Sequence, residues 1–484
     1  MKMYVLVCSV ILSQLSFAQV APSMREQKEN IDYRESLRMI NVWMDAQKDF
    51  DKLQGVSVSI VKDQNIIFKK GFGYSNPETG GSSDPATIYS ICSISKLFTS
   101  VAIMQLWEQG KIRLDDSIRA IIPSLGLTQK FSESGPITIR SLLTHSSGLS
   151  RESDFPYWTE FKFPGDKEVT EKLKKQETLY PASTYLQYSN LGMTILGHVI
   201  STISGMPYEK YVEENILKPL RLANTRTYMP KEFWGKQLAI GYSSQYRDGK
   251  RKALAYFNAN GITPAAGFSS TAEDLALFAA WQFRLLKNGG KEILKASTLR
   301  EMQRVHWLDP DWKNSWGLGF IVYQVENITY VGHDGSCPGY QSSLQMNMKD
   351  KIGVVVMSNS QGNNLDKYSE GIFSVLQKAK PGTPAHDSLD LEQYAGYFDN
   401  YAWRGEVAIL PWQGKLAIIG LPNTDPGKNM TLFIPSGKDV FKRVRADNTL
   451  GEELRFERDA TGAIIKYWRH SNHYDKMSKV IVPN

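Results

Sequence analysis

Tyr89-Ser90-Ile91-Cys92-Ser93-Ile94-Ser95-Lys96-Leu97-Phe98-Thr99 holds an S-x-x-K spacing at Ser93 and Lys96 and leads into a run, Lys96 to Trp107, that is apolar on nearly every side. Residues three apart on a helix share a face, so Lys96 reaches the Ser93 hydroxyl if the two open a helix. Leu97, Val101, Ile103, Met104 and Leu106 make it a helix buried inside a domain, ended by Gly110. A helix N-terminus would bring backbone N–H groups and a favourable dipole to a developing oxyanion. Burial of Lys96 would lower its pKa and let it act near neutrality. The same spacing recurs at Ser59-Ile60-Val61-Lys62 on an alternating strand pattern, where residues three apart point to opposite faces. Taken alone, the first motif leaves two readings open: a nucleophile with its base, or a capping Ser followed by a snorkelling Lys.

Outward from this segment the pattern is mixed. Leu37, Ile40, Trp43, Ala46 and Phe50 form one helical stripe, and two strands follow at Gly55 to Lys62 and Asn65 to Lys70. After a long middle section of loops and short helices, Ser270-Thr271-Ala272-Glu273 fits a capping box that opens another helix. Gln341 to Met346 and Ile352 to Met357 read as neighbouring strands, and Ile372 to Lys378 as part of a closing helix. The reading is a sheet built from both ends of one domain, with a helical insertion between them. Pro381-Gly382-Thr383-Pro384 is a linker signal. Beyond it, runs at Val407 to Leu410, Leu416 to Ile419, Leu454 to Glu457 and Ala463 to Trp468 predict a small β-barrel or sandwich.

Two further triplets bear on chemistry. Tyr188-Ser189-Asn190 precedes the helical pattern Leu191 to Ile203. Its Tyr could relay a nucleophile's proton, with Lys96 holding down its pKa, and Asn190 could hydrogen-bond a substrate amide. His333-Asp334-Gly335 comes just before the late strand pair. Gly335 would let a strand edge approach bound substrate closely, and the Ser336 N–H could complete an oxyanion hole with that of Ser93. As isolated triplets, the first reads weakly and the last reads as a loop Asp-Gly beside a surface His.

The 484 residues exceed one core, and the net charge of +7 without long basic runs gives no nucleic-acid footprint. Residues 1–18 carry a signal-peptide pattern: basic Met1-Lys2, apolar Tyr4 to Phe17, and Ser16-Phe17-Ala18 at the cleavage site. Cys8 is expected to leave with it, and no transmembrane segment is expected in the mature form. Cys92 and Cys337 are too few for a disulfide framework. His470 and His473 lack a metal-ligand pattern, so no metal is expected.

The three triplets, in this order, resemble the class C β-lactamase and D-alanyl-D-alanine carboxypeptidase superfamily. Gly110-Lys111-Ile112-Arg113-Leu114-Asp115-Asp116, Leu142-Leu143-Thr144-His145-Ser146-Ser147-Gly148-Leu149, Pro264-Ala265-Ala266-Gly267 and Trp316-Gly317-Leu318-Gly319 fit it as well. The resemblance covers roughly residues 35 to 378. It implies a β-lactamase/penicillin-binding-protein-like α/β fold, an antiparallel sheet flanked by helices with a helical insertion, over 19–380. The segment 385–484, opening on Tyr394-Ala395-Gly396-Tyr397, resembles the lipocalin-like barrel attached to some of these hydrolases. It would shape the substrate entrance or mediate assembly.

What the resemblance implies is acyl transfer without cofactor or metal. Ser93, Lys96 and Tyr188 would be catalytic, and Asn190, His333, Gly335 and Ser336 would bind substrate or oxyanion. His145, Asp115 and Asp116 would be structural. The substrate would be a small molecule or peptide, peptidoglycan-derived peptides included, met in the periplasm or outside the cell. Two departures matter. His333 stands where these β-lactamases usually carry Lys, and a His is mostly neutral above pH ~6.5. Recognition of a substrate carboxylate should weaken, favouring esters, amides or D-amino-acid peptides and predicting poor β-lactam turnover. Cys92 replaces a small residue and, with Cys337, would flank one active site as a disulfide or as two buried thiols. A penicillin-binding sensor or wall protein that acylates with little turnover is the competing class. A lipase-type α/β-hydrolase is disfavoured, since no G-x-S-x-G occurs.

Overall fold

The computed structural model describes residues 31–381, 389–399 and 405–481. The leader pattern over 1–18 and most of the linker signal, including the boundary at 385, fall outside the described residues.

Five helices and six strands position the site. The helices are α1 (Arg34–Phe50), α2 (Ser95–Glu108), α3 (Asn190–Ser204), α4 (Ala272–Asn288) and α5 (Asp366–Leu376). The strands are β1 (Gly55–Lys62), β2 (Asn65–Asn76), β3 (Ile321–Val325), β4 (Ile328–Cys337), β5 (Tyr340–Asn347) and β6 (Ile352–Ser358). They form one antiparallel sheet in the order β2-β1-β6-β5-β4-β3, with short strands continuing it at both edges. β1 pairs with β6, so the two ends of the domain meet mid-sheet with the helical insertion between them in sequence. The Gln341–Met346 and Ile352–Met357 runs do lie side by side.

Alternation along β6 explains the layering. Val355 and Met357 face the core that holds α2, α3 and α4, while Val354 and Val356 face α1 and α5. A strand apolar at every position is what a sheet covered on both faces requires. α2 is buried from Ser95 to Leu106, as its all-round apolar pattern demands. The cap of α4 sits one residue later than the sequence pattern: Thr271 Oγ1 accepts from the Asp274 N–H, and Ser270 belongs to a short strand.

The C-terminal segment is an eight-stranded antiparallel meander among the described residues, from Gly396–Asp399 to Asn472–Asp475. It closes through a bridge between Phe398 and Lys476 and the Met477 N–H on Tyr397 O at 2.8 Å. This is the barrel outcome of the barrel-or-sandwich expectation. Strands Thr431–Gly437 and Val440–Val444 lack a clean alternating pattern in the sequence and emerge only in the structure. In Glu406–Trp412 and Lys415–Leu421 the two faces diverge. Val407, Ile409, Leu416 and Ile418 fill the barrel, while Ala408, Leu410, Trp412, Ala417 and Ile419 pack outward into the α1/α5 core. Trp43 Nε1 donates to Asn423 O at 2.7 Å across that contact. The barrel is therefore docked on α1, and none of its described residues lines the Ser93 cavity. Its apolar outer face is spent on α1.

Candidate active site

The nucleophile segment is held by three ties. Cys92 adopts φ 49°, in the left-handed region, and Ser93 sits in a single 3-10 turn (Cys92–Ile94) just before α2. Cys92 and Cys337 are disulfide-bonded, with Cα atoms 5.7 Å apart, linking the residue before Ser93 to the end of β4. Ser342 Oγ donates to Ile91 O at 3.0 Å. Ser95 Oγ accepts from the Phe268 N–H at 3.0 Å. Gly335 is required by this approach: a Cβ there would lie 2.3 Å from Ile91 O and 2.2 Å from Ser342 Oγ. Gly335 thus packs on the nucleophile segment while also lining the Ser93 cavity.

Lys96 is fully buried. Its Nζ lies 3.1 Å from Ser93 Oγ, 2.8 Å from Asn190 Oδ1 and 2.8 Å from Ala265 O. Burial holds its pKa well below the ordinary lysine value; nearby Arg151 pushes the same way and Glu152 opposes. The capping Ser with a snorkelling Lys is excluded, because the ammonium end reaches no solvent. The Pro264–Gly267 motif supplies the Ala265 carbonyl.

Asn190 Oδ1 accepts from Lys96 and its Nδ2 donates to Glu152 Oε1 at 2.7 Å. Glu152 also accepts the Tyr157 hydroxyl and pairs with Arg151 at 3.3 Å. The Asn190 amide positions Lys96, and its second Nδ2 hydrogen has no protein acceptor among the described residues. Arg151 and Glu152, which the sequence reading missed, follow the Leu142–Leu149 signature by only two residues, and that position was their one available signal.

Tyr188 lines the same cavity as Ser93. Its pKa is raised, with burial the largest cause, against smaller lowering effects from Ser93 and Arg151. Lys96 therefore does not hold it down, and the phenol is protonated near neutrality. Lys96 Nζ and the Arg151 guanidinium lie 4.8 and 4.9 Å from its ring centroid. His145 stacks on it at 4.3 Å and Trp316 lies 5.9 Å away. His145 Nδ1 accepts from the Ser189 N–H at 3.2 Å and its carbonyl accepts from Gln187 N at 2.7 Å, so it braces the Tyr188 segment as a structural residue. Asp115 pairs with Arg140 at 2.8 Å and Asp116 accepts from Arg113 N at 2.7 Å, anchoring their loop.

His333, Asp334, Gly335 and Ser336 lie within β4, ahead of the late strand pair, and not in a loop. β3 pairs with β4 only up to Gly332, which leaves the 333–337 edge open on that side. His333 is 3% exposed rather than a surface residue. Its Nδ1 is 2.6 Å from Asp334 O, which can only accept, so the proton sits on Nδ1 and Nε2 is a bare acceptor. Burial, with Lys96 nearby, lowers its pKa to about 3. His333 is neutral across the physiological range and offers no cation where the superfamily's Lys would.

These groups line a cavity of about 350 Å³ with Ser93, Tyr188, Trp316, His333 and Ser336 on its walls. Among the described residues no cluster could hold a metal ion, and no helix is long and apolar enough to cross a membrane. His473 is exposed on the last barrel strand.

A buried Lys on Ser93, a phenol beside both and an open strand edge define a serine hydrolase. The chain belongs to the β-lactamase family, whose profile, described as Beta-lactamase, matches residues 43–376. It is 25% identical over 355 residues to Protein flp of Staphylococcus aureus, covering 72% of this chain and 67% of that protein. Its fold is similar to that of an octameric penicillin-binding protein homologue from Pyrococcus abyssi (TM-score 0.62, 24% identity, 90% of this chain and 99% of that one). It is also similar to that of a D-amino acid amidase from Ochrobactrum anthropi SV3 (TM-score 0.60, 19% identity, 71% and 99%).

Proposed function

We propose that this serine hydrolase cleaves amide or ester bonds of small acyl donors, D-amino-acid peptides and small esters among them, through an acyl-enzyme on Ser93, with poor turnover of β-lactams. The observation that carries the proposal is the Lys96 environment. A neutral amine has two N–H donors and one lone pair. With the donors on Asn190 Oδ1 and Ala265 O, the lone pair is left for the Ser93 hydroxyl. Ser93 Oγ loses its proton to Lys96 as it attacks the carbonyl carbon. The protonated Tyr188, which lines the same cavity as Ser93, hands a proton to the departing nitrogen or oxygen, and Lys96 restores it. The Ser93 and Ser336 N–H groups take the oxyanion. Water then enters by the reverse relay and releases the acid.

Neutral His333 supports the weak β-lactam part, because a β-lactam's carboxylate finds no cation on β4. Export to an oxidising compartment is part of the proposal. The Cys92–Cys337 bond and the leader pattern over 1–18 support it. The test is a panel of p-nitrophenyl esters, D-aminoacyl amides, D-Ala-D-Ala peptides and a chromogenic cephalosporin. Esters or amides should turn over, the cephalosporin poorly, and Ser93→Ala should abolish all of it. Cephalosporin turnover at the level of an efficient lactamase would overturn the substrate assignment.

A further inference from the structure

We propose that Arg151 is a specificity-determining residue that binds a carboxylate on the acyl part of the substrate, so that the preferred donors are esters and amides of acyl groups ending in a carboxylate; this rests on the acyl-enzyme reading of Ser93. Arg151 is the only Lys or Arg among the described residues lining the Ser93 cavity, and its side chain is 61% exposed. Both of its ends are held. Its carbonyl accepts from the Asn190 and Leu191 N–H groups at 2.8 and 3.2 Å, which fixes it to the start of α3. Its guanidinium carbon lies 4.9 Å from the centroid of the Tyr188 ring. Nε faces Glu152 Oε1 at 3.3 Å, the one ion pair Arg151 makes among the described residues. That carboxylate also accepts from Asn190 Nδ2 at 2.7 Å and from the Tyr157 hydroxyl. Among the described residues neither terminal guanidinium nitrogen has a hydrogen-bond partner.

The other basic groups near Ser93 offer an anion nothing comparable. Lys96 is fully buried and places its donors on Asn190 Oδ1 and Ala265 O. His333 is neutral, with Nε2 a bare acceptor. Asp334 does not oppose an anion there. Gly335 faces the nucleophile segment, so strand alternation puts the Asp334 carboxyl on the other face of the sheet, with Ser343, Gln345 and Asp366. A guanidinium keeps its charge at every working pH, and its planar fork of N–H groups matches a carboxylate in a bidentate pair. The wall that carries Arg151 decides which part of the substrate it meets. The superfamily's β-lactamases carry their Lys at the His333 position on β4, and the carboxylate of a β-lactam is bonded beside the leaving nitrogen. Arg151 comes instead from the loop after Leu149, and it is not among the charges acting on His333. An anion at Arg151 therefore belongs to the acyl group, and the lack of a cation on β4 for a β-lactam carboxylate is unchanged.

The test compares kcat/KM for the mono-p-nitrophenyl ester of adipic acid with that for the ester whose far carboxylate is replaced by an amide, the same chain without the charge. Each rate is corrected for spontaneous hydrolysis. The ratio should exceed one at pH 7, and Arg151→Gln should lower it by about tenfold. Arg151→Lys should restore only part of it, because an ammonium lacks the planar fork. Both esters use the same Ser93, Lys96 and Tyr188, so disturbed packing on Tyr188 lowers both rates and leaves the ratio alone. A wild-type ratio at or below one overturns the subsite, as does an unchanged ratio in folded Arg151→Gln. A second pair, 4-carboxyphenyl hexanoate and 4-carbamoylphenyl hexanoate, puts the charge on the leaving group. A preference that depends on Arg151 in this pair alone overturns the acyl-side assignment. If Arg151→Gln does not fold, inhibition of p-nitrophenyl acetate hydrolysis by adipamic acid and by adipamide decides. Tighter inhibition by the acid supports the subsite, and equal inhibition refutes it. Full hydrolysis of both adipic esters by Ser93→Ala would instead refute the acyl-enzyme reading, whatever the ratio.

Discussion

Lys96 Nζ sits 3.1 Å from Ser93 Oγ with its other contacts, Asn190 Oδ1 and Ala265 O, both acceptors at 2.8 Å. An amine in a buried site with this partner set can serve as a base only if it loses a proton readily, and burial provides that. Lys96→Ala should lower kcat/KM by roughly 10²–10⁴-fold. Lys96→Arg should not rescue it, because a guanidinium stays protonated. Steady-state kinetics on a p-nitrophenyl ester checks both.

The depressed pKa of Lys96 fixes the sign of the pH dependence. The neutral base exists above that pKa and is lost below it, so kcat/KM on an uncharged ester should fall as pH drops through it. His333, lowered to about 3, does not titrate in that range. The acid limb should therefore persist, at the same position, in His333→Gln. A limb that disappears in this variant would assign the base to His333.

Tyr188→Phe removes the hydroxyl and keeps the ring that packs on His145 and Trp316. The variant should melt close to the wild type yet lose roughly 10²–10³-fold in kcat/KM. The loss should be largest for amides, whose leaving group most needs a proton. Thermal melts alongside amide and ester kinetics check this.

The Cys92–Cys337 bond closes a loop over a sequence separation of 245 and ties Ser93 to β4. Reduction, or the double change Cys92→Ser with Cys337→Ser, should cost about 2–5 kcal/mol of stability and lower kcat by loosening the nucleophile. Denatured protein lacking residues 1–18 should show no free thiol until reductant is added.

The sequence carries most of the fold because the decisive elements are locally consistent. The all-round apolar run after Lys96 and the paired patterns at 341–346 and 352–357 leave little choice of structure. What the sequence hides is partnership. Asn190 has the right position for a substrate contact, and only folding shows that its amide also bridges Lys96 and Glu152. Tyr188 looks poised for a lowered pKa until its burial is seen. The outward apolar residues Ala408, Leu410 and Trp412 read as ordinary strand, and their use, docking on α1, depends on a helix more than 350 positions away in the chain.

The most direct test of Ser93 as nucleophile is rapid acid quench of the purified protein with p-nitrophenyl acetate, followed by peptide mapping by mass spectrometry. An acetyl increment should appear on the peptide containing Ser93, decay with turnover, and be absent in Ser93→Ala. An increment on any other residue, or unchanged ester turnover in Ser93→Ala, would contradict the assignment.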